Sequence, residues 1–375
     1  MKTDIKVIIS GGGTGGHIFP ALAIADGLKQ LDSSIEILFV GAKGRMEMEK
    51  IPAAGYEIVG LDISGFKRSL SLSNLVFPFK LVSSLIKAVS IVRRFKPDVA
   101  VGVGGYASGP LLWAAAKLGV PTVIQEQNSY PGITNKLLAS KARAICVGYD
   151  GMEKHFPSSK VIVTGNPVRK EMVSIEGKKD EALRFFGLNA SQPVLLVVGG
   201  SQGALAINHA ICDGLHILRD AGIQLIWQCG NAYLPKAIQS IKDSGYDNAH
   251  AFDFIRRMDY AFAVSDLVIS RAGASTVSEL AVVGKPAIMV PLPTAAEDHQ
   301  THNCMSLVNK GAAILVRNAD ASTQLVNRAV QTIQDKTRMS ELSSNMGQMA
   351  ITDAADRIAK EVYRIATEKR NNIIN

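Results

Sequence analysis

This chain opens with a strand-like run that leads directly into a glycine-rich loop, and few folds accept that combination. Residues 6–10 read Lys-Val-Ile-Ile-Ser, residues 11–17 read Gly-Gly-Gly-Thr-Gly-Gly-His, and a helix-like stretch follows at 20–31. A strand, a glycine loop and a helix N-terminus together form an anion-binding site, because free backbone N–H groups and the positive end of the helix dipole meet there. The pattern predicts an α/β domain that binds a phosphorylated ligand, with His17 at the edge of the loop.

The glycine spacing leaves more than one kind of ligand open. Gly11, Gly13 and Gly16 match the dinucleotide fingerprint G-x-G-x-x-G, which also requires an acidic residue at the end of the second strand. The second predicted strand is followed by Gly-Ala-Lys and has no acid at its tip. NAD is therefore disfavoured, whereas Lys43 and Arg45 keep an NADP-dependent reductase as an alternative.

The same pattern recurs in the second half of the chain. A strand-like run at 193–198 enters a second glycine loop at 199–204, and a helix to about 218 follows. A turn-like break at 165–169 reads as an interdomain linker. Apolar β-branched runs alternate with helical patterns in both halves, which predicts parallel sheets. The remaining predicted strands are 35–40, 99–103, 122–125, 144–147, 161–164, 224–228, 267–270, 287–290 and 313–316.

We therefore predict an α/β protein of two Rossmann-like, doubly wound domains that face each other across a cleft. The N-terminal domain spans 1–166, the C-terminal domain spans 167–350, and a closing helix and tail span 351–375. Ligands of such sheets bind at the carboxyl ends of the strands. Both glycine loops would then contact the ligand.

Composition restricts the partners. The 375 residues carry a formal net charge of +8, which suits a phosphorylated substrate or an acidic membrane surface. No nucleic-acid-binding signature is present, so nucleic acid is not an expected partner. The four cysteines form no C-x-x-C motif and read as reduced thiols of a cytosolic protein. No uninterrupted apolar run reaches the roughly 18 residues of a spanning helix.

The segment 66–96 is both basic and apolar. It contains no acidic residue, while lysines and arginines surround aromatic and aliphatic side chains. Such a segment suits a peripheral contact with anionic lipid. A core helix with a solvated basic face is the alternative interpretation.

Six ordered motifs carry a family resemblance. They are GGGTGGHIFP at 11–20, GVGGY at 102–106, EQN at 126–128, TGNPVR at 164–169, GGSQGA at 199–204 and RAGASTVSE at 271–279. In this order they closely resemble the motifs of the MurG family of bacterial N-acetylglucosaminyltransferases, and the likeness runs from about residue 6 to residue 311.

The resemblance implies a GT-B fold and an inverting hexosyltransferase. Such an enzyme moves GlcNAc from UDP-GlcNAc to the C4 hydroxyl of MurNAc in undecaprenyl-diphosphate-MurNAc-pentapeptide (lipid I). The product is the β-1,4-linked lipid II of peptidoglycan synthesis, on which cell shape and cell division depend. The enzyme would lie peripherally on the cytoplasmic face of the inner membrane, with other proteins of cell-wall synthesis as further candidate partners.

Inverting transfer needs a base and a stabiliser of the departing diphosphate. His17 is the preferred base, because a neutral imidazole near pH 7 suits the task, and Glu126 is its rival. Family members usually carry His immediately before this Glu, whereas this chain has Gln125, which favours His17. The loops of the N-terminal domain would bind the acceptor diphosphate or the donor sugar through Gly12, Gly13, Thr14, Gly15, Gly16, Gly104, Gly105 and Tyr106.

The donor would occupy the C-terminal domain. Ser201 would donate to the leaving diphosphate, Arg169 would pair with the nucleotide phosphates, and Glu279 would accept both ribose hydroxyls. The resemblance also implies that the Ile255 backbone reads the uracil edge and that Asn128 and Gln300 contact GlcNAc hydroxyls. His299 receives no role.

No Asp-x-Asp metal clamp is present, so we expect no required metal and no cofactor, although a loosely bound magnesium ion is compatible with the loops. Two further classes stay open beside the transferase. A UDP-GlcNAc 2-epimerase would share the two-domain architecture but needs additional acids for proton abstraction at C2. A non-catalytic lipid-diphosphate-binding module would have no use for His17, Asn128 and Glu279 together.

Overall fold

The computed structural model describes residues 5–63, 73–200 and 202–374. The chain divides into two compact units. The first comprises Met1–Val168 together with Asp353–Asn375, and the second comprises Arg169–Thr352.

The first unit is built on a seven-stranded parallel sheet of order β3-β2-β1-β4-β5-β6-β7. Its strands are β1 Lys6–Ser10, β2 Glu36–Ala42, β3 Glu57–Leu61, β4 Val99–Gly102, β5 Thr122–Glu126, β6 Ala144–Val147 and β7 Val161–Val163. The helices between them are α1 Gly15–Leu31, α2 Glu47–Ala53, α3 Ser73–Phe95, α4 Ser108–Lys117 and α5 Ile133–Ala139.

The second unit contains a six-stranded parallel sheet of order β10-β9-β8-β11-β12-β13. Its strands are β8 Val194–Val198, β9 Gln224–Gln228, β10 Ala249–Phe252, β11 Leu267–Ser270, β12 Ala287–Met289 and β13 Ala313–Leu315. Its helices are α6 Lys170–Val173, α7 Lys179–Phe186, α8 Leu205–Asp213, α9 Leu215–Asp220, α10 Leu234–Ser244, α11 Met258–Val264, α12 Ala274–Val283, α13 His299–Val308, α14 Ala321–Gln334 and α15 Lys336–Gly347.

Each sheet reverses its strand order at one point. In the first unit β1 pairs with both β2 and β4, and in the second β8 pairs with both β9 and β11. The loops that leave the carboxyl ends of two such neighbouring strands diverge to opposite faces of the sheet and leave a crevice. The glycine loops after β1 and β8 both start at these reversal points, so the repeated sequence pattern corresponds to a repeated topological position.

Both faces of each sheet are covered, as near-continuous apolar strands require. In the first unit, alternate residues of β1 point to opposite sides, with Val7 and Ile9 in one buried cluster and Ile8 in the other. In the second unit, Trp227 on β9 is fully buried within the core cluster.

The last helix, α16 Ala354–Ile374, returns to the first unit and packs against α1. The apolar positions Ile358, Val362 and Ile365 are buried there. Gly27 of α1 allows the close approach, because a Cβ at that position would lie 3.0 Å from the Cβ of Ala359.

The structure differs from the sequence-based expectation in several elements. The strands β3 and β10 were not predicted, and each lies at an edge of its sheet. Helix α1 begins at Gly15 rather than at Pro20, so His17 lies in its first turn. The helix predicted to reach about residue 218 is broken at Gly214, where a Cβ would lie 2.6 Å from Cγ2 of Val326.

Candidate active site

The glycine loop after β1 ends at an uncapped helix N-terminus. Thr14 is the N-cap residue of α1, and its carbonyl oxygen accepts the N–H of His17 at 3.1 Å. The side chain of Thr14 makes no capping hydrogen bond, and no acidic residue lies in the first turn. Within the part of the chain that the structure describes, no side chain accepts the N–H groups of Gly15 and Gly16, which is the arrangement that binds anions at helix N-termini.

The loop after β4 packs directly on this first loop. Gly104 and Gly105 have φ of 98° and 86°, in the region that L side chains rarely adopt. A Cβ on Gly105 would lie 2.3 Å from the carbonyl oxygen of Gly12, and a Cβ on Gly104 would lie 2.7 Å from Nδ1 and Cε1 of His17. The two glycines thus bring His17 and both predicted acceptor loops into one site.

Tyr106 follows these glycines and is half exposed, with the guanidinium of Arg45 at 5.9 Å from its ring centroid. The pair presents an aromatic and a cationic group side by side. Arg45 therefore lies beside the loops predicted to bind the acceptor, and this position does not require a bound dinucleotide.

A buried carboxylate, that of Glu47, holds the glycine loop after β1 in place. Glu47 is 1% exposed, and its oxygens accept the N–H of Gly13 at 2.9 Å and the N–H of Ala42 at 3.0 Å. The Gly13 N–H, predicted to contact the acceptor, is therefore donated to protein in this structure. Glu47 carries no signal in the sequence, because its role depends on a loop far away along the chain.

His17 has a depressed pKa. Burial lowers the pKa of its imidazole from the ordinary value of 6.5, and this effect outweighs the opposing influence of Glu126, the Gln127 side chain, the Val103 carbonyl and Glu47. The ring is thus neutral near pH 7, as a general base requires.

Glu126, the rival base, has the surroundings of a structural carboxylate. It is 2% exposed and lies at the end of β5. One oxygen accepts the backbone N–H and the side-chain amide of Asn128 at 3.0 and 3.1 Å, and the other accepts from the Gly132 N–H and the Asn135 amide at 3.1 and 2.8 Å. These four donors tie the carboxylate to the loop that follows β5 and hold that loop in place. The side chain of Asn128, predicted to contact GlcNAc, donates to Glu126 within that loop.

A chain of buried amides lies behind His17. The Nδ1 atom of His17 is 3.1 Å from Oε1 of Gln127, and the Gln127 amide donates to the Val103 carbonyl at 2.6 Å and to the Gln125 side chain. Gln125 donates to Oδ1 of Asn166 at 3.1 Å, and Asn166 donates back to the Gln127 carbonyl at 2.8 Å. Gln127 and Asn166 lie within two of the motifs, but sequence alone gave no reason to single them out.

In the second unit, the glycine loop after β8 is tied to the strands beside it. Gln228, at the end of β9, donates to the Gly200 carbonyl at 2.9 Å and accepts the N–H of Ile255 at 2.9 Å. The backbone of Ile255, predicted to read uracil, is thereby held beside the loop predicted to hold the diphosphate. Ser201, the predicted donor to that diphosphate, lies outside the described residues.

Arg169 and Glu279 form one ion pair. The guanidinium donates from Nε to Oε1 at 2.7 Å and from Nη2 to Oε2 at 3.1 Å, and only 11% of the Glu279 side chain is exposed. Sequence analysis gave these residues separate ligands, the phosphates and the ribose. In this structure each residue occupies the group that the other would offer to a nucleotide, and the two predictions of ligand contact stay predictions.

The remaining predicted site residue, Gln300, lies in the first turn of α13, where its Oε1 accepts the Leu292 N–H at 2.9 Å. Across the described ranges 5–63, 73–200 and 202–374, no group of three or more His, Cys, Asp or Glu side chains is arranged to hold a metal ion.

The fold and these loops define a class of protein. Two doubly wound parallel sheets, each with a glycine loop at its point of reversal, are the architecture of GT-B glycosyltransferases. Residues 7–147 match the N-terminal domain of glycosyltransferase family 28, and residues 194–358 match the C-terminal domain of that family. The chain belongs to glycosyltransferase family 28 and, within it, to the MurG family.

Known proteins support this membership over nearly the whole chain. The UDP-N-acetylglucosamine--N-acetylmuramyl-(pentapeptide) pyrophosphoryl-undecaprenol N-acetylglucosamine transferase of Bacteroides fragilis is 52% identical over 366 residues, 97% of this chain and 96% of that protein. The crystal structure of Acinetobacter baumannii MurG is similar with a TM-score of 0.77 and 28% identity, over 96% of this chain and 99% of that one.

The epimerase alternative shares the fold. A UDP-GlcNAc 2-epimerase from Neisseria meningitidis, bound to UDP-GlcNAc, has a TM-score of 0.66 at 15% identity, over 96% of this chain and 100% of that one. At that identity the likeness concerns the fold alone.

Proposed function

We propose that this chain transfers GlcNAc from UDP-GlcNAc to undecaprenyl-diphosphate-MurNAc-pentapeptide, and so makes lipid II. The Bacteroides fragilis relative is named for this reaction, and it matches 97% of the chain at 52% identity. The structural observation that carries the chemistry is the place of the His17 imidazole, at an uncapped helix N-terminus and against the glycine loop after β4.

The reaction proceeds by a single displacement with inversion. The C4 hydroxyl oxygen of MurNAc forms a bond to the anomeric carbon of GlcNAc while the bond from that carbon to the UDP oxygen breaks. His17 takes the hydroxyl proton, and UDP leaves with the bonding electron pair. The result is a β-1,4 linkage.

The open N–H groups of α1 bind the acceptor diphosphate. Thr14, Gly15 and Gly16 contribute donors there, in a position where the helix dipole stabilises negative charge. Tyr106 and Arg45 lie beside this site and contact the same headgroup.

The donor is held by the second unit through exchange of the Arg169–Glu279 ion pair. Both carboxylate oxygens of Glu279 must leave the guanidinium to accept the two ribose hydroxyls, and the released guanidinium then pairs with the diphosphate. Binding thus replaces one charge-assisted pair with two.

The leaving diphosphate needs no metal in this scheme, because loop N–H groups, the Arg169 guanidinium and helix N-termini supply the positive charge. A magnesium ion bound to the substrate diphosphate is compatible with it.

Transfer of labelled GlcNAc to a short-chain lipid I analogue tests the proposal. We expect the wild type to form the disaccharide and His17→Ala to lose kcat, with affinity for UDP-GlcNAc retained. A matched control is His216→Ala, since His216 lies on α9 of the second unit. Conversion of UDP-GlcNAc to an epimer without acceptor would favour the epimerase and contradict the transferase.

We also propose that the exposed face of α3 contacts an anionic membrane surface. Phe79, Val82 and Ile86 recur at helical spacing on this face and are 77%, 56% and 67% exposed. Arg93 and Arg94 are exposed in its last turn. Part of the predicted segment, 64–72, lies outside the described residues.

The two lysines of α3, Lys80 and Lys87, contact other groups of the protein. Lys87 donates to the Gly60 carbonyl at 2.7 Å, and Lys80 lies 3.7 Å from an Asp62 oxygen. The membrane contact therefore depends on the apolar residues and the two arginines. No helix in the described part of the chain is both long and apolar enough to span a bilayer. A peripheral position on the cytoplasmic face, where lipid I is proposed to be used, follows from this contact and the substrate.

Vesicle co-sedimentation tests this contact. We expect binding to phosphatidylglycerol vesicles, weaker binding to phosphatidylcholine, and loss of binding in the triple variant Phe79→Ser/Val82→Ser/Ile86→Ser. Ile238→Ser, which removes a similarly exposed apolar side chain from α10, is the control. Unchanged binding of the triple variant would contradict the proposal.

A further inference from the structure

The buried amides behind His17 have only one possible orientation. The carbonyl oxygen of Val103 is an acceptor only, so the Gln127 atom at 2.6 Å from it must be the NH₂ group. The other end of the Gln127 amide, its oxygen, therefore lies 3.1 Å from Nδ1 of His17.

The other end of this network of amides fixes the same orientation independently. The Gln127 carbonyl is also an acceptor only, so the Asn166 atom at 2.8 Å from it is the NH₂ group, and Oδ1 of Asn166 accepts from Gln125 at 3.1 Å. The oxygen of Gln125 then accepts from Gln127. Two backbone carbonyls thus set the direction of all three amides.

We propose that Gln127 is a positioning residue that fixes His17 as the Nδ1–H tautomer and leaves Nε2 as the proton acceptor. The amide oxygen of Gln127 can only accept, so the ring nitrogen facing it must donate. The protonated nitrogen of a neutral imidazole is set by the partner of the other one. The inference rests on the proposed function, because the proton that Nε2 accepts is that of the acceptor hydroxyl.

The other ring nitrogen is available for this task. The contacts of His17 lie on the Nδ1 side of its ring: Nδ1 is 3.1 Å from Oε1 of Gln127, and a Cβ on Gly104, which follows the Val103 carbonyl, would lie 2.7 Å from Nδ1 and Cε1. Nε2 is not among the buried polar atoms that lack a partner.

An amide suits the task better than a carboxylate would. Gln127 orients the ring without adding a negative charge in contact with it, and so leaves the imidazole neutral. The carboxylates that do act on the ring are Glu126 and Glu47, and both share their charge with N–H donors. The Gln125 and Asn166 amides extend the same neutral network away from the ring.

Nitrogen-15 NMR of histidine-labelled full-length protein tests the tautomer directly. His17 is assigned by the signal that disappears in His17→Gln. At pH 7.5 we expect Nδ1 to be protonated and Nε2 unprotonated in the wild type. Gln127→Met, which removes the oxygen facing Nδ1, should lose this tautomer. A wild-type ring protonated on Nε2, or an unchanged tautomer in Gln127→Met, would overturn the proposal.

Turnover provides the second readout. A positioned base contributes about 10²–10⁴-fold, so Gln127→Met should lower kcat by roughly ten- to a hundredfold, with KM for UDP-GlcNAc nearly unchanged. Gln224→Met is the matched control, since Gln224 is another fully buried glutamine that bonds backbone groups, in the second unit. An equal loss in both variants would make the effect one of general stability and would contradict a positioning role.

The two readouts separate this inference from the proposed function. If the wild type transfers no GlcNAc while His17 carries its proton on Nδ1 and Gln127→Met moves it, the proposed function fails and the tautomer assignment stands. If transfer occurs with the proton on Nε2, the proposed function stands and Gln127 is not its positioning residue.

Discussion

At the scale of single residues, two buried carboxylates hold loops of the candidate site. Glu47 and Glu126 are both buried carboxylates whose oxygens accept from loop N–H groups. A buried anion of this kind is stable only when several donors surround it. Glu47 therefore fixes the glycine loop after β1, and Glu126 fixes the loop after β5.

Gly104→Ala tests the contact between the loops. The new Cβ would lie 2.7 Å from the His17 ring, on a backbone with φ of 98°. We expect the ring to shift, kcat to fall at least roughly tenfold and the free energy of unfolding to fall by about 1–3 kcal/mol. Gly55→Ala is the control, because its φ of 85° is similarly strained for an L residue but the space around its Cβ is open. Equal kcat in the two variants would contradict the contact.

Glu279→Gln tests the donor ion pair. The variant keeps the side-chain shape but removes the charge that now pairs with Arg169, and an amide cannot accept two hydroxyls through equivalent oxygens. We expect KM for UDP-GlcNAc to rise roughly ten- to a hundredfold, as loss of a charge-assisted hydrogen bond implies, with a smaller change in kcat. Arg338→Met, which removes an exposed ion pair with Glu341, should leave both constants unchanged.

Sequence could identify the residues that a motif presents but not the residues that hold them. His17 was predicted because the glycine loop ends at it. Gln127 was not predicted, since its role depends on contacts with the Val103 carbonyl and the His17 ring, which sequence does not reveal. The same limit explains why Arg169 and Glu279 were read separately, because nothing in their spacing indicates that they pair.

At the scale of elements, ion pairs link helices of the second unit. Asp259, in the first turn of α11, pairs with Arg257 at 2.9 Å and with Lys178 at the start of α7 at 3.1 Å. Hydrogen bonding from Arg257 is the main reason that the pKa of Asp259 is lowered to about 2.

Asp259→Asn should therefore destabilise the protein in a pH-dependent way. Because the carboxyl pKa is lower in the folded state, its contribution is complete above the ordinary value of 3.8 and is lost as the pH falls through about 2. We expect a loss of about 1–3 kcal/mol at pH 7, measured by urea unfolding, with the difference from wild type shrinking on acidification. A difference that is constant from pH 7 to pH 3 would refute the ion-pair explanation.

Gly27→Val tests the packing of α16 on α1. A Cβ at position 27 already meets Ala359 at 3.0 Å, so a branched side chain must push the helices apart. We expect a loss of roughly 1–3 kcal/mol in the free energy of unfolding. Gly347→Val places the same side chain on α15 with open space around its Cβ, and should change stability by much less.

The elements missed by sequence analysis have a common physical reason. β10 reads Ala-His-Ala-Phe and β3 reads Glu-Ile-Val-Gly-Leu, so neither has the long β-branched run of the central strands. Each is an edge strand that pairs on one side only and tolerates such residues. The central strands, buried on both faces, were predicted to within a few residues.

At the scale of the whole molecule, the repetition of strand, glycine loop and helix allowed the two-unit α/β architecture to be predicted. The position of α16 was only partly predicted. Its apolar spacing indicated a helix, but its membership of the first unit depends on contacts between the two ends of the chain.

The net charge of +8 should make the proposed vesicle binding sensitive to salt. We expect Arg93→Gln/Arg94→Gln to bind phosphatidylglycerol vesicles less tightly in low salt and to lose less affinity than the wild type as sodium chloride is added. Lys236→Gln/Lys242→Gln on α10 is the control with the same charge change. An identical salt response of the two double variants would show that overall charge, and not this helix, attracts the lipid.

The return of α16 to the first unit also sets an order of events during synthesis. Residues 169–352 leave the ribosome as one uninterrupted stretch, so the second unit has all of its sequence while translation is still in progress. The first unit, although its sheet is made first, cannot cover the outer side of α1 until the final helix emerges. The first unit therefore lacks one of its packed helices until the whole of the second unit has been translated.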